Sequence, residues 1–379
     1  MSKNNFFLLN KLTILILSYN RQKFAIRNMK YWSGTNVSVI LIDGSQKKID
    51  KDILSKFHKN IIYIHSPKDY VKRIKSFLYK IKTKYVILGC DDEFYIPSAL
   101  NSCLKNLIKD RELSACGGFV WGFEFKNKLM LGFNAYPSLK KIFLSESDPN
   151  IRLQKHFSNY TTIHYYSVCR TDLFKIAIKE VFKKNSPVYD CYAMSEILLE
   201  FLICYSGKSK VIPELMTLRS GENIGINSLN PDEKVGFNFF NKKILERFDY
   251  WWLDKNNKLK KDQLINFVKL CCKKIDSINR NMFPCNIANI FENYVKFLQK
   301  DKKPFYIYFK SFYRYFPLFL RDNIKELLKY FGYFEDNLRK TNMLKSINLL
   351  KKEKVFVDLN QLKNIDKILK DFYNYKLLK

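Results

Sequence analysis

Glycine and proline are scarce in this chain, 12 and 10 among 379 residues, while lysine, asparagine and isoleucine abound. No glycine-rich Walker A loop is present, which argues against a P-loop NTPase, and no Gly-x-Ser-x-Gly elbow or Ser/His/Asp signature supports a hydrolase. The nine cysteines show no repeating spacing and no C-x-x-C pair, although Cys271 and Cys272 are adjacent. That pattern speaks against zinc fingers and a disulfide framework, and for reduced thiols in a cytosolic protein. No apolar run reaches the length of a membrane span, and the stretch Met1 to Leu17 is broken by Asn10 and Lys11 and lacks a small-residue cleavage site. Acidic residues are few, 36 against 67 Lys and Arg, leaving a formal net charge of +31. The excess is either a solvated lysine-rich surface or attraction to an anionic partner: nucleotide phosphates, anionic lipid headgroups or nucleic acid. No RNP-like aromatic motif or helix-turn-helix pattern supports the last.

What is present is an alternation of short apolar runs and helical stretches. Leu12 to Leu17, Val37 to Ile42, Ile61 to Ile64 and Tyr85 to Leu88 read as buried parallel strands. Phe24 to Tyr31 and Tyr70 to Ile81 carry apolar residues at helical spacing. The alternation predicts an α/β fold with a mostly parallel sheet, in which a ligand sits beyond the carboxyl ends of the strands. Tyr19-Asn20-Arg21, Asp43-Gly44-Ser45 and Asp91-Asp92-Glu93 all follow such strands and are expected to converge on one crevice. Further on, Gly117 to Gly122 reads as a strand with close backbone approach, Leu173 to Phe182 and Ala193 to Tyr205 as helices, and Lys210 to Pro213 as a short strand.

The acidic triplet is the most informative feature. Unpaired carboxylates are costly to bury, so the triplet is expected at an exposed strand end, where its oxygens can hold a divalent cation. The plainer alternative is a polar turn.

Together these segments resemble inverting glycosyltransferases of the GT-A fold, the broad family-2 type, over roughly residues 10 to 222. The motifs that carry the resemblance are Ser18-Tyr19-Asn20-Arg21, Ile42-Asp43-Gly44-Ser45, Asp91-Asp92-Glu93, Ser167 to Phe174 around Arg170, and Ser195 to Glu200 followed by Lys210 to Pro213. The feel is that of bacterial enzymes of capsule and lipooligosaccharide clusters. The chain departs from the family at Cys90, where an acidic residue is common, and at Arg219, near the place of a further metal-ligating histidine.

The resemblance implies a nucleotide-diphosphate sugar donor, UDP-type as a first guess, and a glycan or lipid-linked oligosaccharide acceptor. Asp91 and Glu93 would hold Mn²⁺ or Mg²⁺ across the diphosphate. Tyr19, Arg21, Asp43, Arg73 and Asp92 would contact the donor. Arg73 would approach its phosphates, and Asp43 would accept from a uracil-like base unless it caps its own turn. Glu196 is the expected general base, with Glu200 and Asp190 as competitors. His164, Arg170 and Arg219 are weaker acceptor-side candidates, and His164 reads first as a satisfied structural histidine.

Beyond about Asn230 glycine nearly vanishes and helical periodicity takes over. The expected organisation is a GT-A domain over 1–229, with a donor half over about 10–113 and an acceptor half over about 114–229, then a basic, aromatic α-helical domain over 230–379. Phe305 to Arg321 suits either a helical core or an anionic membrane surface. The expected location is cytoplasmic, with peripheral attachment to the inner face of the membrane as the variant that stretch would support. Two other functions fit the bulk properties: a nucleotidyltransferase, which normally shows a glycine-rich phosphate loop that Ser18 to Arg21 lacks, and a non-catalytic basic protein binding RNA or membranes.

Overall fold

The computed structural model describes residues 6–136, 139, 142–158, 160–184, 186, 193–222, 258–279, 290 and 341–374. Strands β1 (Leu12–Ser18), β2 (Ser38–Asp43), β3 (Ile61–His65) and β4 (Tyr85–Cys90) lie in the order β4-β1-β2-β3, all parallel. Helices α1 (Gln22–Trp32), the short α2 (Lys51–Leu54) and α3 (Tyr70–Phe77) make the crossovers. Leu12, Ile14 and Ile16 pack into one core cluster with Ala25, Met29 and Trp32 of α1, whereas Leu15 joins Val71 and Ile74 of α3 in a second. Layers on both faces explain why these strands read as unbroken apolar runs. Helix α3 begins at Asp69, whose side chain accepts from the Lys72 N–H at 2.8 Å. It ends earlier than expected, tightening into a 3₁₀ turn over Leu78–Lys80 that still buries Ile81.

The next segment holds more strand than the sequence suggests. After β5 (Phe94–Tyr95) and α4 (Pro97–Lys109), β6 (Leu113–Lys126) turns into β7 (Leu129–Phe133) through Asn127 and Lys128, both at positive φ. That is the backbone of a tight two-residue hairpin, hidden because neither residue is glycine. β8 (Phe143–Leu144), α5 (Pro149–Ser158), β9 (Val168–Arg170), α6 (Thr171–Val181) and α7 (Ala193–Ser206) follow. The strand expected at Lys210 to Pro213 is the start of β10 (Lys208–Ser220), which pairs parallel to β6 with a register shift between Val211 and Leu215. Pro213, which cannot donate to a ladder, lies in that shift. The predicted close approach at the glycine pair is present: a Cβ on Gly118 would fall 2.7 Å from the Glu214 carbonyl oxygen.

The described C-terminal residues pack against the sheet. β11 (Thr341–Asn342) pairs with β7 at the sheet edge. Two helices follow it, which we number after α8 (Lys258–Asn279): α9 (Met343–Lys352) and α10 (Leu359–Tyr373). Ile347, Leu350, Ile365 and Leu369 share the core cluster of Leu12 and Ile14. Val268, Cys271 and Ile275 of α8 share the opposite one with Leu198 and Leu202 of α7. The described C-terminal residues are mostly helical, and their apolar faces complete the two layers of the sheet. The stretch Phe305 to Arg321 lies outside the described residues. Among the described residues no helix is long and apolar enough to cross a membrane.

Candidate active site

β1 lies between β2 and β4, with Ser18 opposite Asp43 and Leu17 opposite Cys90. The loops after these strands therefore meet, as the switch-point rule anticipates. Asn20 turns the chain at φ 52°, a conformation asparagine tolerates, and its N–H donates to Ser45 Oγ at 2.9 Å.

The acidic triplet does not stand exposed. Asp91, Asp92 and Glu93 are 4%, 2% and 5% exposed. Their burial is compensated from β1 and α1. Ser18 Oγ donates to Asp91 at 2.7 Å. Arg21 donates to Asp92 at 2.6 Å and lies 3.4 Å from Asp91. Arg27 donates to the Asp92 carbonyl oxygen, and Asn28 to those of Cys90 and Glu93. The compensation is incomplete. Burial pushes the Asp91 carboxyl up to about 6 against the pull of Arg21, and burial together with the charge of Asp92 pushes Glu93 up to about 8. Among the described residues, Glu93 Oε2 is buried with no hydrogen-bond partner. A set of hard oxygen donors with an orphaned oxygen suits a divalent cation.

The remaining candidates separate into those at this crevice and those away from it. Arg219 reaches it: Nε lies 3.9 Å from Glu93, and the guanidinium sits against the rings of Tyr136 at 4.9 Å and Tyr166 at 5.8 Å. Tyr19 is half-buried, with the Arg73 guanidinium 5.8 Å from its ring centre. Arg73, expected at the phosphates, is instead 1% exposed and donates to the Ser18 and Ile42 carbonyl oxygens. It supports the strand ends from below, directly under Gly44, where a Cβ would land 2.4 Å from its Cζ. Gly44→Ala is therefore expected to destabilise the fold by about 1–3 kcal/mol, the usual cost of overpacking, measurable by urea denaturation; an unchanged midpoint would mean that Arg73 is not held there. Asp43 caps its own turn: it accepts from Ser45 N–H and Oγ, and from Gln22 and Tyr63, at 0% exposure. No lone pair is left over for a base in this arrangement.

Arg170 is away from the crevice. Antiparallel β9 places it opposite Tyr85, at the start of β4 rather than its end, and it donates to the carbonyl oxygens of Leu107, Asp110 and Leu113. His164 is 1% exposed and bonded to Glu200 at 2.7 Å and Ser209 at 2.7 Å, so it is the satisfied structural histidine. Glu200 is 0% exposed and also accepts from Tyr165 N–H and His156. His156, His164 and Glu200 present ligand atoms within 4.8 Å of one another, but each facing atom already has a hydrogen-bond partner.

Glu196, one turn before Glu200 on α7, is half-buried and accepts from Thr162 Oγ1 at 2.6 Å. Burial and then the Glu200 charge raise its pKa, against the Thr162 hydrogen bond. Burial and then the charges of Cys90, Glu93 and Glu196 push the Tyr166 hydroxyl upward. Asp190 lies outside the described residues.

The sequence reading missed Arg27, Asn28 and Glu222, and gave Ser18 no role of its own within its motif. Arg27 and Asn28 are both buried on α1, and polar residues interrupting an apolar helix face were the signal to notice. Glu222 accepts from Arg27 at 2.8 Å and from Tyr373 of α10; nothing local in the sequence marks it.

A parallel sheet with an acidic turn at its central strand ends, closed by a mixed second half, is the GT-A-like architecture. Residues 13–179 match the family described as Glycosyl transferase family 2. No curated protein shows a significant sequence match. Among solved structures, residues 1–349 of S. aureus TarS are 10% identical with a TM-score of 0.41, over 76% of this chain and 88% of that one. The same fragment crystallised with UDP-GlcNAc gives 11% and 0.40, over 76% and 88%. The longer TarS structure gives 11% and 0.39, over 77% of this chain and 55% of that one.

Proposed function

We propose that this protein transfers a sugar from a nucleotide-diphosphate donor to a hydroxyl of a surface-glycan or lipid-linked acceptor, by single displacement with inversion. The observation that carries the reading is the buried Asp91-Asp92-Glu93 turn, under-neutralised and set beside the loops of β1 and β2. Asp91 and Glu93 would hold Mn²⁺ or Mg²⁺, which when bound supplies positive charge for the leaving diphosphate. Arg21 and Arg219, both partly exposed at the rim, give donor phosphates further cationic partners. Tyr19 offers a half-buried ring to the base. Glu196 takes the proton from the acceptor hydroxyl, its raised pKa making it a stronger base than an ordinary carboxylate. The donor base we favour is uracil.

A thermal-shift screen of UDP, GDP, CDP and CMP with and without Mn²⁺ tests this reading. One diphosphate should raise the melting temperature, and only with metal. No shift with any nucleotide at high concentration would overturn it.

A further inference from the structure

Away from the crevice, Glu200 is a fully buried carboxylate with three hydrogen-bond partners. Its Oε1 accepts from Tyr165 N–H at 2.6 Å, and its Oε2 faces His164 Nδ1 at 2.7 Å and His156 Nε2 at 3.0 Å. His164 Nε2 continues to Ser209 Oγ at 2.7 Å. The network ties α5, the turn His164–Tyr166, α7 and β10 together. With both imidazoles neutral, each N–H has an acceptor and the Ser209 hydroxyl donates to His164 Nε2, so every facing atom is satisfied.

This network lies one helical turn from Glu196. Residues four apart share a helix face, so the segment Thr162–Tyr165 runs along α7 with a carboxylate at each end: Glu196 holds Thr162 Oγ1 and Glu200 holds Tyr165 N–H. The two clamps differ in exposure. Glu200, His156 and His164 are 0%, 2% and 1% exposed and offer nothing to a substrate. Glu196 is half-buried.

We propose that His156, His164, Glu200 and Ser209 are positioning residues that seat the Thr162–Tyr165 segment on α7 and thereby hold the Glu196 carboxylate in its working orientation. The proposal rests on the reading of Glu196 as the base. Its function would be to remove freedom from that base; misplacement of a reacting group by about 1 Å can cost 10²-fold in rate. Two imidazoles also hold Glu200 ionised, well below the usual carboxylate range despite its burial.

The test measures sugar-nucleotide turnover with the full chain, using UDP-N-acetylglucosamine or whichever UDP-, GDP- or CDP-sugar is consumed, together with nucleotide affinity. Glu200→Gln should lower kcat by about tenfold or more while donor KM and nucleotide affinity stay unchanged, because the donor half is untouched; tenfold corresponds to about 1.4 kcal/mol of barrier. Should Glu200→Gln fail to fold, the His156 pair decides. His156→Gln can keep an N–H donor near Nε2 and should retain most activity, whereas His156→Leu fills the space without it and should lose kcat as above. Folded His156→Leu or Glu200→Gln protein with wild-type kcat would overturn the proposal, as would equal losses in His156→Gln and His156→Leu. Glu196→Gln separates the two ideas. Full activity in that variant sinks the reading of the base itself, whereas an inactive Glu196→Gln beside a fully active Glu200→Gln sinks only the positioning role.

Discussion

Glu196→Gln is expected to lower sugar transfer by about 10²–10⁴-fold, the usual contribution of a positioned general base, with metal-dependent nucleotide binding unchanged. The side chain touches Thr162 rather than any residue of the acidic turn, so its neutralisation should not disturb the donor site. The substitution also predicts a change of pH profile. Because burial and Glu200 raise the Glu196 pKa, the protonated, inactive form persists above the ordinary carboxylate range, and kcat rises as pH passes through that elevated value. In the variant this acid limb should disappear along with most of the rate. Steady-state kinetics across pH, paired with nucleotide titration, checks both. If transfer survives at near wild-type rate, the base lies elsewhere, and Asp190 becomes the next residue to test.

The second large effect concerns Glu93 and Asp91. Glu93→Gln or Asp91→Asn is expected to abolish metal-dependent nucleotide binding without unfolding the protein. The sign of the stability effect follows from the raised pKa values. Glu93 moves from 4.5 to about 8 and Asp91 from 3.8 to about 6. A carboxyl whose folded pKa is raised gives its full stability below the unfolded value and loses it as pH rises through the folded one. The cation-free wild type should therefore melt at progressively lower temperature as pH rises from about 5 to 8. Glu93→Gln removes the ionisation and should flatten that slope, and Mn²⁺ should flatten it in the wild type. Thermal melts in chelator and in Mn²⁺ across this range measure it. A slope that is identical in Glu93→Gln and unaffected by Mn²⁺ would mean that the carboxyl is neither strained nor a ligand.

These predictions show where the sequence was informative. The parallel strands were legible because a strand buried on both faces must be apolar throughout, and Leu12 to Leu17 and Tyr85 to Leu88 have no other soluble use. The meeting of three loops followed from topology alone. What escaped was whatever depends on a partner distant in sequence. The burial of Asp91 to Glu93 depends on Arg21, just before α1, and on Arg27 and Asn28 of α1. The absence of Arg170 from the crevice depends on the antiparallel direction of β9, which a short run such as Val168–Arg170 does not announce. Arg73 and Asp43 were placed on the donor because their residue types suit phosphate and base, yet both are held by backbone and side chains at the strand ends. The C-terminal helices looked like a separate domain because their apolar faces, read alone, do not reveal that the surface they cover is the same sheet.

The central claim is that the acidic turn serves metal-dependent consumption of a nucleotide sugar. Its most direct test is to incubate the purified chain with UDP-, GDP- and CDP-sugars, with Mn²⁺ or with chelator, and to measure the nucleoside diphosphate released. One base should be consumed, only with metal, and not by the Asp91→Asn variant. Release that is indifferent to chelator and to Asp91→Asn, or no release from any donor by folded protein, would contradict the account.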